Sequence, residues 1–358
     1  MKSNMRWIRR QVTKGETIHY DRFTGKIVRK TSIVDAMPED QVWSDPNFNS
    51  HAPLKTYFDL SYRCNFNCLH CITSSHPRHD TSKELSTGRI LDLIEELASI
   101  GVLEIAIGGG EPLLHKHCVE IFQSVTRSGM NLIITTNGSL VNERMADELS
   151  AIAPLEVRVS FDGGPNLHDS IRGAGAYNKT MTGLSRLITG HMPATARLTL
   201  SSGGDEELPQ LFDDLANIGT KKVKIALTKP IGRATDQGRH LVRAIETAKT
   251  SQWLMKLGME RGMVVELSSE DFAAPIIPIV DSKLRVQAPH CGAGFETAYI
   301  SATGGVTACV AMPSQTFGEL HESLFLEVWL GQLAVEYRKW ATGCNMQRIC
   351  DACGKKPK

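Results

Sequence analysis

From residue 54 onward the apolar positions switch repeatedly between a period of two and a period near 3.6. Residues 54–60 (LKTYFDL) alternate and are rich in β-formers, which predicts a strand. Residues 87–100 place Ile90, Leu91, Ile94, Leu97 and Ile100 on one helical face. Ser86 stands where an N-cap belongs and Gly101 where a helix stops. The same reading predicts strands over 103–107, 131–135, 155–161, 194–200 and 222–227. Helices fill the intervals at 116–128, 141–151, 177–189 and 207–218. Strands alternating with helices imply a parallel sheet with right-handed crossovers. Six such units predict an α/β fold, a partial (β/α)6 TIM-like barrel. Its active site then belongs at the carboxyl ends of the strands.

The flanks follow other patterns. The first 30 residues hold nine Lys/Arg against Glu16 and Asp21. Within them, 17–20 and 26–29 flank a turn at Gly25 and read as a β-hairpin. The basic cluster suits an acidic partner, although a solvated hairpin is the plainer reading. Past the barrel, 241–261 is helical in pattern, 263–267 is a short strand, and 273–279 is a connector broken by Pro275 and Pro278. Residues 296–301 and 305–310 form a second hairpin around Thr303-Gly304, and 324–340 reads as one amphipathic helix. The expected division is an extension at 1–50, a barrel at 51–235, a connector at 236–290 and a small domain at 291–358.

Composition narrows the class. Forty Lys+Arg against 39 Asp+Glu give a net charge of +1. Such a balance exerts no pull toward nucleic acid. The longest apolar run, 273–280, is far short of the roughly 20 residues of a spanning helix. The basic N-terminus lacks the apolar core of a signal peptide, so a cytoplasmic protein is expected. Nine cysteines are an odd number and are clustered, which argues for metal rather than disulfides.

Three of them, in Cys64-Asn-Phe-Asn-Cys68-Leu-His-Cys71, directly follow the first barrel strand. A cubane iron–sulfur cluster takes a ligand on each of four irons, so three thiolates leave one iron open. Zinc sites usually offer CxxC pairs and four ligands. With the motifs after the next strands, the chain resembles the radical SAM enzymes. Gly108-Gly109-Gly110-Glu111-Pro112 resembles the family's glycine-rich segment, where Gly109, Gly110 and Glu111 meet the amino group of S-adenosylmethionine (SAM). Glycines permit close backbone approach, and a carboxylate suits an ammonium. Asn137 of Thr136-Asn137-Gly138, and Ser160 and Asp162 of Ser160-Phe161-Asp162-Gly163, take positions that contact the ribose or methionine part of SAM. Arg172 of His168-Asp169-Ser170-Ile171-Arg172-Gly173 corresponds to an Arg that reaches the SAM carboxylate. His70 occupies a usually aromatic position beside the adenine. The resemblance implies a [4Fe–4S] cluster on Cys64, Cys68 and Cys71 whose open iron binds SAM. An electron from a flavodoxin or ferredoxin then cleaves SAM to a 5′-deoxyadenosyl radical, which abstracts hydrogen from the substrate.

The unit Cys291-x12-Gly304-x4-Cys309 resembles the opening of the auxiliary-cluster domain called SPASM, or its shorter form, twitch. Cys350-Asp-Ala-Cys353 would complete a set of four. The expected ligands of one auxiliary [4Fe–4S] cluster are Cys291, Cys309, Cys350 and Cys353, with a four-cysteine zinc knuckle as the plainer alternative. Cys118 reads as a buried structural cysteine. Cys344 is left as a hydrogen donor to a substrate radical, a replacement ligand, or neither. Resemblance to the peptide-maturing branch implies a ribosomally made precursor peptide as substrate. Its leader would be recognised by a separate protein or by the basic hairpin. The other expectation is a small sugar, aminocyclitol or nucleoside.

Overall fold

The computed structural model describes residues 7–13, 16–24, 27–29, 42–44, 52–201, 203–229, 231–235, 244–267, 292–312 and 314–343. Four short strands come first: β1 (Trp7–Thr13), β2 (Glu16–Asp21), β3 (Ile27–Arg29) and β4 (Val42–Ser44). They form a sheet in the order β3-β2-β1-β4. The expected hairpin is the antiparallel β2–β3 pair, with Ile18 opposite Arg29.

The barrel follows as β5 (Lys55–Ser61), α1 (Thr87–Ser99), β6 (Glu104–Gly109), α2 (Cys118–Arg127), β7 (Asn131–Thr136), α3 (Glu143–Ile152) and β8 (Glu156–Phe161). It continues as α4 (Pro165–Arg172), α5 (Ala176–Thr189), β9 (Ala194–Leu200), α6 (Leu208–Asn217), β10 (Lys222–Leu227), α7 (Ala244–Glu260) and β11 (Val264–Leu267). The Ser86 hydroxyl accepts from Arg89 N–H, and Gly101 turns the chain at φ 90°, as the pattern predicted. Consecutive strands from β5 to β11 pair in parallel. The short strand expected at 263–267 therefore extends the sheet to a seventh parallel member.

Alternation along the strands makes two faces. Ile105, Leu132, Val157, Leu198 and Ile225 are buried in the core that meets the helices. Asp59, Arg158, Ser160, Arg197 and Lys224 alternate with that set and line the lumen. The described residues end with β12 (Thr297–Ile300), β13 (Gly305–Thr307), β14 (Gly318–Glu319), α8 (Phe325–Leu330) and α9 (Gln332–Gly343). The β12–β13 hairpin does not stand apart. β12 pairs in parallel with β5, Tyr299 beside Tyr57, so ten strands form one open sheet. The single helix expected over 324–340 is two, because Gly331 is extended between α8 and α9 (ψ 167°).

Tyr20 joins the N-terminal sheet to the barrel. Its hydroxyl donates to Glu104 Oε2 (3.0 Å) and accepts from Asn131 Nδ2 (2.8 Å). Both partners start their strands, so this sheet sits at the amino end of the barrel. Among the described residues no helix is long and apolar enough to cross a membrane.

Candidate active site

The chain leaves β5 at Ser61 and enters the loop that carries Cys64, Cys68 and Cys71. The end of β6 lies against its start. Gly110 N–H donates to Ser61 O (2.6 Å) and Glu111 N–H to Arg63 O (2.9 Å). A Cβ on Gly110 would stand 2.2 Å from Arg63 O, and one on Gly109 2.5 Å from Ser61 O, where φ is also +110°. Only glycine lets these strand ends touch. The glycine pair therefore seats the cysteine loop as well as leaving room for a ligand.

Glu111 is fully buried, and burial pushes its carboxyl pKa up. It accepts from Thr136 Oγ1 (2.7 Å), Asn137 N–H (2.8 Å) and Leu113 N–H (3.1 Å). It thereby ties the ends of β6 and β7 together. Asn137 continues the chain of contacts: its Nδ2 donates to Asn65 Oδ1 (2.9 Å) and lies 4.0 Å from Cys64 Sγ. The motif after β7 is thus wired into the cysteine loop.

Asp162 lies at the end of β8 with an exposure of 1%. Arg172, at the end of α4, donates from Nε to Oδ2 (2.5 Å) and from Nη2 to Oδ1 (3.2 Å). His70 Nε2 lies 2.7 Å from Oδ1. Burial opposes the charge on Asp162, but Arg172 and His70 outweigh it and hold this carboxyl well below the usual range. The Asp162 N–H donates to Nδ1 of the His168 ring (3.3 Å). Burial lowers the pKa of His168 to about 4, so the ring is neutral and able to accept. Ser160 is half-buried on the lumen wall.

The three thiols fit an iron–sulfur cluster by their chemistry. Cys64 packs with Phe66 and Ala176, and burial pushes its pKa up to about 12. Metal binding would ionise such a thiol outright. Backbone donors already address the sulfurs: Phe66 N–H to Cys64 (3.4 Å) and Ser75 N–H to Cys71 (3.3 Å). Among the described residues no three His, Cys, Asp or Glu side chains converge on a single-ion site. Three sulfurs around one loop suit a multi-iron group, with one iron per thiolate.

One residue of this site was not anticipated from sequence. Arg233, after β10, donates from Nε to Cys68 O (2.8 Å) and from Nη2 to Ser75 O (2.9 Å), and its N–H reaches Cys71 O (3.0 Å). A Cβ on Gly232 would stand 2.4 Å from Cys71 O. Gly232-Arg233 clamps the cysteine loop from across the barrel. The Gly-Arg pair at a strand end was its only local signal.

Cys309 follows β13 and is half-buried, its sulfur accepting from Ala311 N–H (3.4 Å). Cys291, Cys344, Cys350 and Cys353 lie outside the described residues, as does 273–279. Cys118 is buried at the start of α2.

At the seam between β5 and β12, Tyr299 donates its hydroxyl to the buried Asp59. Burial raises the Asp59 pKa to about 7, which the Tyr299 bond only partly opposes. The folded state thus binds this proton more tightly than the unfolded chain, whose carboxyl has its ordinary pKa of 3.8. The associated stability is fully present below the unfolded value and is lost as pH rises through about 7. At 1.36 kcal/mol per unit the loss is about 4 kcal/mol. Asp59→Asn is expected to flatten the fall in melting temperature between pH 5 and 8; parallel curves for variant and parent would refute the assignment.

Comparison with known proteins agrees with this geometry. Residues 59–225 match the family model described as the Radical SAM superfamily, and 291–354 match the iron–sulfur cluster-binding domain SPASM. The mycofactocin maturase MftC of Mycobacterium ulcerans is 30% identical over 72% of this chain and 68% of its own length. An AdoMet-dependent heme synthase of Methanosarcina barkeri is 26% identical over 85% of this chain and 89% of its own. In fold, Streptococcus suis SuiB bound to the precursor peptide SuiA superposes with a TM-score of 0.77 at 13% identity, covering 98% of this chain and 96% of that one.

Proposed function

The chain belongs to the radical SAM superfamily, with a C-terminal SPASM domain, and from that premise we propose that it modifies a ribosomally made precursor peptide. The observation that carries this reading is the 30% identity with a maturase across 68% of that relative's length. The fold match to a structure holding a precursor peptide supports it. When bound, the cluster and SAM supply one-electron reduction and hydrogen abstraction from an unactivated C–H bond.

The chain's own residues have these roles. Cys64, Cys68 and Cys71 hold the SAM cluster on a loop kept in shape by Gly109, Gly110 and Arg233. Glu111 and Asn137 align the ends of β6 and β7 around SAM. Asp162 orients His70 and Arg172 beside it, and Ser160 faces it from the lumen wall. Cys291, Cys309, Cys350 and Cys353 hold the auxiliary cluster, and Cys344 is the candidate hydrogen donor. A flavodoxin or ferredoxin supplies the electron.

The N-terminal sheet suits leader binding, since β3 and β4 are its edges among the described residues and an extended peptide adds to an edge. It lies at the amino end of the barrel, while the cysteines lie at the other. A barrel strand of six residues spans about 20 Å, so at least about six extended residues must separate a bound leader from the modified residue.

A small-molecule substrate is the second reading, favoured by the broader alignment with the heme synthase. Anaerobic turnover with peptides encoded beside the gene, read by mass spectrometry, tests the proposal. 5′-Deoxyadenosine together with a mass change on the peptide is expected. Turnover with a porphyrin or sugar, and none with any peptide, would favour the second reading.

A further inference from the structure

Arg233 carries more than its clamp requires. Its Nε and Nη2 donate to two carbonyl oxygens, Cys68 O (2.8 Å) and Ser75 O (2.9 Å), and the residue is half-buried. Two carbonyls need only two neutral donors. A charge in a partly desolvated place loses hydration that carbonyl oxygens only partly replace. Other guanidinia of the barrel are matched by carboxylates: Arg89 by Glu96, Arg158 by Glu156, Arg172 by Asp162 and Arg261 by Asp213. Arg233 forms no such pair among the described residues.

The cluster that Cys64, Cys68 and Cys71 fit supplies the counterpart. The Arg233 side chain bonds the backbone of Cys68, and its own N–H bonds Cys71 O (3.0 Å). The cation therefore stands beside two of the three sulfur-bearing residues. The other guanidinium at this site, Arg172, is cancelled by Asp162, which accepts from its Nε (2.5 Å) and Nη2 (3.2 Å). A reduced cluster carries one more negative charge than an oxidised one, so a fixed cation beside it favours the reduced form. Net charge and the surroundings of the sulfurs are what set such potentials. At an effective dielectric of about 20, a unit charge on the order of 10 Å away shifts the equilibrium roughly tenfold once solvent screening is allowed for.

We propose that Arg233 is a charge-tuning residue, whose guanidinium raises the reduction potential of the SAM-binding cluster. It acts through its field and through the cysteine loop, not on the reacting atoms. The inference rests on the three-cysteine site and not on the peptide reading, so it holds for either class of substrate.

The test is an EPR-monitored redox titration of the anaerobic, reconstituted full chain, as the parent, Arg233→Gln and Arg233→Lys. The signal that changes on adding SAM reports the three-cysteine cluster. Gln keeps a neutral donor without the charge, and Lys keeps the charge without the fork. The backbone bond from residue 233 to Cys71 O and the contacts of Gly110 and Glu111 remain in both, so about eight irons per chain are expected in each. Arg233→Gln is expected to shift the equilibrium about tenfold against the reduced form, a midpoint lower by about 59 mV for one electron. Arg233→Lys is expected to stay within about threefold of the parent. Equal midpoints in all three proteins, or one shift common to both variants, overturn the proposal. Loss of the SAM-responsive signal from both variants overturns it too, since the fork alone then matters. Its loss from Arg233→Gln alone, with a parental midpoint in Arg233→Lys, supports the role of the charge.

Discussion

Replacing Cys64, Cys68 and Cys71 together by Ala is expected to lower bound iron from about eight to about four per chain and to abolish SAM cleavage. The remaining iron belongs to the auxiliary cluster, whose candidate ligands lie after residue 290. The two losses share one cause, because the open iron exists only where three thiolates leave a position unfilled. The fold itself should survive. The loop's backbone contacts to Gly110, Glu111 and Arg233 do not involve the sulfurs. Iron and sulfide analysis after anaerobic reconstitution reads the result. A residual near eight, or a loss of all iron, would sink the assignment of one cluster to each cysteine group.

The second large effect is expected at Asp162. Asp162→Ala leaves the Arg172 guanidinium, whose side chain is only 7% exposed, without its carboxylate. Breaking a buried pair by removing one partner costs about 3–5 kcal/mol. For a chain of this size, at about 2.1 cal/mol/K of unfolding entropy per residue, that lowers the melting temperature by roughly 4–7 °C. The double variant Asp162→Ala, Arg172→Met should recover much of the loss, because no charge is then buried unpaired. SAM binding should fail in both variants, since Asp162 also orients His70. A single variant within about 1 kcal/mol of the parent would show that the pair does not hold this end of the barrel together.

The barrel strands and helices were legible because each buries one face. A strand whose apolar side meets helices must alternate, and a helix lying on a sheet must carry a stripe. The departures occur where that rule gives no local sign. Gly331 splits a helix whose apolar stripe runs on unbroken in sequence. β11 is only four residues long, so its place as a seventh strand depends on β10 beside it. The strands β1 and β4 carry no clean alternation and are held by pairing.

The chemistry divides the same way. The cysteine spacing and the motifs at successive strand ends identify the cluster, SAM and the family from sequence alone, because ligand chemistry demands those residue types in short runs. Tertiary structure decided what those residues do to one another. Glu111 ties two strand ends, Asn137 reaches the cysteine loop, and Arg172 closes on Asp162. It also brought Tyr299 to Asp59 across 240 residues. No periodicity encodes such contacts. They arise when parallel pairing puts distant positions at one register, and burial then decides which charges must be matched.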